Sequence, residues 1–130
     1  MNRTNNEKVD TFHANRIIMA NSEIFQFGKE TAWQDAGDGV QRQILGYDDK
    51  LMMVKVKFET GAIGAMHSHH HSQATYVESG RFSMTIRDVV KEISTGDGYY
   101  VPPNTVHGIT CLEAGTLIDV FSPLREDFLS

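Results

Sequence analysis

Four of the six histidines of this 130-residue chain lie within five positions, at His67, His69, His70 and His71. Side chains alternate between the faces of an extended strand, so a His-x-His pair there presents His67 and His69 on the same side. Gln73 adds a side-chain carbonyl just beyond them. Two imidazoles and an amide oxygen make up most of a metal site. A solvated polar turn would account for His70 or His71 alone, and we expect these two in a loop at the mouth of the fold.

The end of the chain holds a second group of residues that could do chemistry. Leu117, Asp119 and Phe121 share one face of a strand, which we interpret as interior, so that Asp119 is a carboxylate among apolar neighbours. Burial raises the pKa of a carboxyl group and suits it to acid or base work, whereas a nearby arginine lowers that pKa. Arg125 follows Pro123 and can fold back over the opening, where its planar guanidinium suits a substrate carboxylate. The alternatives are an Asp119 bonded to backbone and an Arg125 in a solvated ion pair.

Short strands separated by turns must position these residues. The clearest strand is 52–59, where Met52, Val54, Val56 and Phe58 alternate with a mostly polar face. Turns rich in Gly, Pro, Asp and Asn recur about every 8–12 residues, which predicts an antiparallel sandwich or barrel. Further strands are predicted at 16–20, 23–27, 40–46, 73–78, 81–87, 89–93, 99–101, 106–112 and 116–121.

The composition excludes several classes of protein. The length fits one domain with a single core, and the net charge of −5 without a basic run argues against a nucleic-acid surface. The single cysteine, Cys111, excludes an intrachain disulfide and suits a reducing compartment. The polar N-terminus is unlike a signal peptide, and no apolar run is long enough to cross a membrane. We therefore expect a cytoplasmic protein without nucleic-acid or membrane partners, whose residues 1–14 form a flexible arm.

Two spaced motifs resemble those of the cupin family. They are Gly61-x5-His67-x-His69-x3-Gln73-x6-Gly80 and Gly96-x5-Pro102-x-Asn104-x2-His107. The resemblance implies an all-β, jelly-roll cupin barrel as a single domain at 15–130, with its metal-binding core at about 40–121. It also implies one divalent metal ion per chain, with the ligands His67, His69, Gln73 and His107. Three positions depart from the family pattern: Gln73 replaces Glu, Asn104 replaces Gly, and Cys111 replaces Asn. Asparagine still tolerates a positive φ at the turn.

The substitution at Gln73 bears on the chemistry of the metal. Three neutral imidazoles and one amide oxygen leave a divalent cation with its full charge, which suits Lewis-acid catalysis, whereas Glu would favour redox iron or manganese. The ligand types do not choose among nickel, zinc, manganese, iron and copper. An oxidative, dioxygenase-type cupin is one alternative, against which Gln73 counts modestly. A non-catalytic, sugar-sensing cupin is another, although the chain shows no helix-turn-helix pattern.

Several segments resemble the small cupins of the pectin degradation protein KdgF group, namely 45–49, 61–69, 96–104 and 119–128. Proteins of this group act on 4,5-unsaturated uronate monosaccharides that lyases release from pectate or alginate. They convert the ring form to the linear keto form. The resemblance implies a metal-dependent isomerase acting on a small sugar acid, in which Asp119, Phe121 and Arg125 serve the substrate. Cupins of this size are usually homodimers, and we expect the same here.

Overall fold

The computed structural model describes residues 20–129, and within them the chain is built almost entirely from strands. The strands are β1 Gln34–Gly37, β2 Val40–Asp48, β3 Leu51–Phe58, β4 Ile63–His67, β5 Ser72–Ile86, β6 Val89–Ser94, β7 Gly98–Val101 and β8 His107–Ser122. Two short 3₁₀ turns, Gly28–Glu30 and Glu126–Phe128, complete the elements. No helix among these residues is long and apolar enough to cross a membrane. The predicted all-β class is confirmed.

Two long strands organise the antiparallel sheet. Strand order is β1-β2-β3-β8-β5-β6, with β4 added beside β8 and β7 beside β5. The first part of β8 pairs with β4, its last part pairs with β3, and β5 runs along almost its whole length. Strands that exchange neighbours along their length are how a sheet curls into a barrel. The same exchange brings the end of β4, the middle of β5 and both ends of β8 to one region.

The core consists of two clusters on either side of that region. The larger contains Val40, Phe58, Ala62, Val77, Phe82, Cys111 and Leu117, with Phe58 and Phe82 packed edge to face at 5.4 Å between ring centroids. The smaller contains Met52, Val54 and Phe121. The predicted inner face of β3 is thus buried at Met52, Val54 and Phe58, because alternate residues of a strand share one face.

The turn predicted at Ser79 and Gly80 is instead an irregularity inside one strand. The predicted strands 73–78 and 81–87 are the two parts of β5, and the predicted 106–112 and 116–121 are parts of β8. Register shifts lie between Val77 and Arg81, where Gly80 has a φ of 89°. A bulge bends a strand without ending its pairing. The Ser-Gly pair therefore marks a bend and not a chain reversal.

The first described residues also differ from prediction. No strand forms at 23–27, where Ile24 and Phe25 are 89% and 72% exposed. The preceding residue, Ser22, bonds to β2, its N–H donating to the Tyr47 carbonyl at 2.9 Å. A short strand, β1, forms instead within the predicted turn at 33–39. The predicted arm at 1–14 lies outside the described residues. So does the strand predicted at 16–20, except for Ala20.

Candidate metal centre

Three imidazoles converge where β4, the loop after it and β8 meet. His67 ends β4, and β8 begins at His107, its partner in the register. Ring centroids are 4.5 Å apart for His67 and His107, and 4.9 Å apart for His69 and His107. One ring nitrogen from each histidine lies within 4.8 Å of the others. His69 lies two residues beyond the end of β4, so it is held by the loop and not by the strand itself.

The loop is fixed by a second turn of the barrel. Asn104 adopts a φ of 60°, as its tolerance of that conformation predicted, and its backbone N–H donates to the His69 carbonyl at 2.7 Å. This bond joins the turn before β8 to the loop after β4. The two segments that carry the three histidines are therefore held together through backbone.

Backbone carbonyls determine the tautomer of all three rings. Nδ1 of His67 donates to the Ala65 carbonyl at 2.8 Å, and Nδ1 of His107 donates to the Thr105 carbonyl at 2.8 Å. Nδ1 of His69 lies 3.1 Å from the carbonyl oxygen of His71. A carbonyl can only accept, so each Nδ1 bears the proton and each neutral ring keeps a lone pair on Nε2. Such outer contacts orient histidine ligands in metal sites.

The environment of Gln73 shows that these residues fit a cation. Nε2 of Gln73 lies 3.0 Å from the Thr75 hydroxyl and 3.4 Å from Oδ1 of Asp119, so Oε1 is the atom that faces His69. Oε1 and Nε2 of His69 are 3.0 Å apart, and with Nδ1 protonated both are acceptors. Burial, and then the charge of Arg125, lower the pKa of His69 to about 4, so the ring is neutral at neutral pH. A bound divalent cation would turn this contact between two lone pairs into shared coordination.

Asp119 lies on the inner face of β8 beside Gln73. It is 9% exposed, and its Oδ1 accepts a hydrogen bond from the Thr75 hydroxyl at 2.6 Å. Burial raises the pKa of Asp119 to about 6, against the lowering effects of Thr75, Arg125 and Gln73. The structure therefore holds a buried carboxyl that can exchange a proton near neutral pH. The amide of Gln73 joins it to the histidines.

Arg125 folds back over the same region, from the segment that follows β8. Its guanidinium carbon lies 5.0 Å from the ring centroid of Phe121 and 4.2 Å from that of Phe128. The guanidinium also makes two bonds to Asp127, Nε to Oδ1 at 3.1 Å and Nη2 to Oδ2 at 3.0 Å. The tail ion pair and the position over the opening, treated as alternatives from the sequence, thus occur together.

A single cavity of about 370 Å³ joins these groups. Its lining includes His67, Gln73, His107, Asp119, Phe121 and Arg125. Six of the seven residues singled out from the sequence thus line one cavity, and Nε2 of the seventh, His69, lies 3.0 Å from Oε1 of Gln73. Their roles as ligands and catalytic groups stay predictions. His70 and His71 lie in the loop between β4 and β5, as predicted.

Comparison with known proteins places the chain in a family. Residues 54–121 match the Cupin domain family. The chain is 47% identical over 102 residues to the pectin degradation protein KdgF of Dickeya dadantii, across 77% of this chain and 93% of that protein. The chain belongs to the cupin family, in the KdgF group. The predicted cupin barrel is confirmed.

Solved structures agree with this assignment. An RmlC-like cupin from Shewanella frigidimarina superposes with a TM-score of 0.81 at 47% identity, over 83% of this cupin and 97% of that chain. KdgF from Halomonas sp. superposes with a TM-score of 0.77 at 40% identity, over 80% of this cupin and 98% of that chain. The likeness covers nearly all of both solved chains.

Four further residues in or beside this cupin's cavity were not identified from its sequence. Thr75 bridges Gln73 and Asp119. Tyr99 pairs with Thr75 in the register and has a pKa raised by burial and then by Asp119. Tyr99, Arg42 and Phe128 line the cavity. Thr75 could have been found, because it is two residues after Gln73 and shares its face of β5. The other three depend on pairings between distant segments, for which the sequence holds no local signal.

Proposed function

We propose that this cupin is an isomerase that opens the ring of 4,5-unsaturated uronate monosaccharides and yields the linear keto form. The observation that carries the proposal is the placement of the buried carboxyl of Asp119 in the same cavity as the histidine cluster, joined to it by the Gln73 amide. The identity with a protein named for pectin degradation supports the substrate class. The cavity also has the size of a monosaccharide site.

The reaction itself is a balanced rearrangement. The substrate is a cyclic hemiacetal whose ring oxygen is attached to the C4=C5 double bond. Removal of the anomeric hydroxyl proton forms the aldehyde as the bond from C1 to the ring oxygen breaks. The electron pair stays on that oxygen as the enolate at C5. A proton delivered to C4 then gives the 5-keto product, so no oxidant or reductant is required.

Asp119 is suited to move both protons. Its pKa of about 6 lets the same carboxyl take a proton from the anomeric hydroxyl and return one to C4 at neutral pH. Oδ1 is held by Thr75 and Gln73, which leaves Oδ2 for the substrate. A group positioned in this way contributes about 10²–10⁴-fold to a rate.

Arg125 and Phe121 serve to bind the sugar acid. The guanidinium of Arg125 would bind the C6 carboxylate, because its planar donors match two carboxylate oxygens. It already binds the carboxylate of Asp127 in this way, so the substrate would share or replace that partner. Phe121 contributes an apolar wall against which a face of the ring can pack.

The catalytic metal, one divalent ion per chain, would be held by His67, His69, Gln73 and His107. When bound, it would supply Lewis-acid stabilisation of negative charge on a substrate oxygen. The amide at Gln73 adds no charge of its own to the site. For this reason we favour isomerisation over redox chemistry.

The deciding experiment follows the absorbance of the conjugated alkene after unsaturated uronate monomers are added to the metal-loaded protein. We expect faster loss than in the uncatalysed reaction, and a fall of about 10²–10⁴-fold for Asp119→Asn. His67→Ala should also abolish the acceleration. Asp88→Asn is the matched control, because Asp88 is exposed in the turn between β5 and β6. It should keep full activity.

Three outcomes would oppose the proposal. Full activity in Asp119→Asn would remove Asp119 from the mechanism. Consumption of oxygen during turnover would point to an oxidative cupin. Binding of the sugar without any change in its absorbance, with every metal tried, would point to a sensor.

We also propose a homodimer that acts in the cytoplasm. The exposed side chains of Ile24 and Phe25 are apolar surface that a second subunit could cover. Light scattering after size-exclusion chromatography tests the dimer directly. A monomer at every concentration would contradict it.

A further inference from the structure

A second group of potential ligands lies beside the cavity and shares no residue with the first. It consists of His70, His71 and Glu126, and one ligand atom from each lies within 4.8 Å of the others. The two histidines belong to the loop after β4, and Glu126 belongs to the 3₁₀ turn after β8. From these residues we propose a second divalent-cation site, which joins the loop to the C-terminal segment.

The burial of His71 without a hydrogen bond is the observation that points to a ligand. Its side chain is 5% exposed, so the ring is not the solvated group that a polar loop would contain. Neither Nδ1 nor Nε2 makes a hydrogen bond. Nε2 lies 3.6 Å from Oε1 of Glu126, which is too far for a hydrogen bond but close enough for both atoms to contact one cation. Buried imidazole nitrogens without partners are costly, and a bound cation would satisfy one of them.

Three rings surround His71, and a carboxylate lies beside its Nε2. His69 and Phe121 pack against the ring edge to face, with centroids 5.3 Å and 6.4 Å away. The ring centroids of His70 and His71 are 3.9 Å apart, and the ring planes are inclined by 36° to each other. Glu126 contributes the carboxylate, and its side chain is 70% exposed, so water can complete the coordination.

The ligand types indicate which ion the site would take. Two imidazole nitrogens and one carboxylate, with a fourth position for water, form a set that zinc binds readily. The carboxylate of Glu126 would offset one unit of the cation's charge.

Such a site would fasten the segment that carries Arg125. Glu126 follows Arg125 directly, so a cation bound to Glu126 and His71 would hold the chain over the cavity. The carbonyl of His71 accepts the Nδ1 proton of His69. Occupation of the second site would thus also steady one ligand of the first.

Calorimetric titration tests the site without any substrate. Zinc alone is titrated into the protein after a chelator has removed bound metal. We expect two zinc ions per chain in the unchanged protein. Glu126→Gln and His70→Ala should weaken one of the two by at least about tenfold. Both residues are exposed, so neither change threatens folding. Glu78→Gln makes the same chemical change at the exposed Glu78 and should leave both sites intact.

The reciprocal variant separates the two sites. His67→Ala should weaken the site of His67, His69 and His107 and keep the one that depends on Glu126. A single zinc per chain in the unchanged protein, lost in His67→Ala, would overturn the proposal. Two zincs that persist undiminished in both Glu126→Gln and His70→Ala would overturn it as well. The readout is metal binding, so failure of the proposed isomerase activity would not affect it.

Discussion

At the scale of single residues, Gln73 explains why this site can combine a metal with a buried acid. Its amide oxygen faces His69, and its amide nitrogen lies 3.4 Å from Asp119. A glutamate at that position would bring a second carboxylate against Asp119. Two carboxylates so close cannot both ionise, and one pKa would rise strongly. The amide avoids this conflict, because its oxygen can face a cation beside His69 while its nitrogen donates to Asp119.

Asp119→Asn tests the buried carboxyl through the stability of metal-free protein. The folded pKa of Asp119, about 6, lies above its ordinary value of 3.8, so the folded state binds this proton more tightly than the unfolded state. Ionisation therefore destabilises the fold, with no penalty below about pH 4 and the full penalty above about pH 6. We expect Asp119→Asn to be more stable at pH 7.5 by up to about 3 kcal/mol, because one pKa unit is worth about 1.4 kcal/mol.

Urea unfolding of both proteins from pH 4 to pH 7.5 measures this difference. Asparagine keeps the Oδ1 acceptor for Thr75 and Gln73, so the variant loses neither bond. Both proteins contain the same histidines, so the comparison reports the change at residue 119. A difference in unfolding free energy that did not grow with pH would show that Asp119 is not held in a raised-pKa state.

At the scale of elements, the C-terminal segment is held by a stack of alternating rings and charges. The guanidinium carbon of Arg42, on β2, lies 3.8 Å from the ring centroid of Phe128, and that of Arg125 lies 4.2 Å from the same centroid. Contacts of this kind are worth about 0.5–2 kcal/mol each. The stack ties the segment that carries Arg125 to β2.

Phe128→Ala should therefore raise KM for the unsaturated uronate by about tenfold, because about 1.4 kcal/mol of positioning would be lost. The kcat should change far less, since Asp119 is untouched. Trp33→Ala is the matched control, because it removes a similar contact between Lys57 and Trp33, at 4.4 Å, outside the cavity lining. An equal rise in KM for both variants would contradict the role of the stack.

At the bend of β5, Gly80 lies against Gly115 of β8. A Cβ on Gly80 would lie 2.7 Å from the Glu113 carbonyl oxygen, and one on Gly115 would overlap the Ser79 carbonyl. We expect Gly115→Ala to lower the free energy of unfolding by about 3 kcal/mol, since backbone atoms cannot yield as side chains do. Gly28→Ala is the control, because nothing lies within 4 Å of an added Cβ there. Urea denaturation of both variants distinguishes them, and equal stability would exclude the clash.

At the scale of the whole molecule, periodicity and motif spacing predicted the barrel and the histidine cluster. Alternation on β3 was readable because one of its faces is buried along the strand. The convergence of His67, His69 and His107 was implied by the resemblance of two motifs to those of cupins. The burial of His71 and the stack around Phe128 could not be predicted, because they arise where the loop after β4 and the chain end meet segments distant in sequence.

Cys111, the single cysteine of the chain, lies in the larger core cluster at 1% exposure. Burial raises the pKa of its thiol, so it is neither accessible nor ionised in the folded state. A thiol-reactive dye can therefore label this protein only when the structure around Cys111 opens. The labelling rate then measures how often that opening occurs. Added zinc should lower the labelling rate in proportion to the occupied fraction, because a bound ion would stabilise the closed form. A rate unchanged by zinc would mean that Cys111 is exposed by local fraying. If zinc does slow the labelling, the native thiol of Cys111 reports the opening of the barrel without an engineered probe.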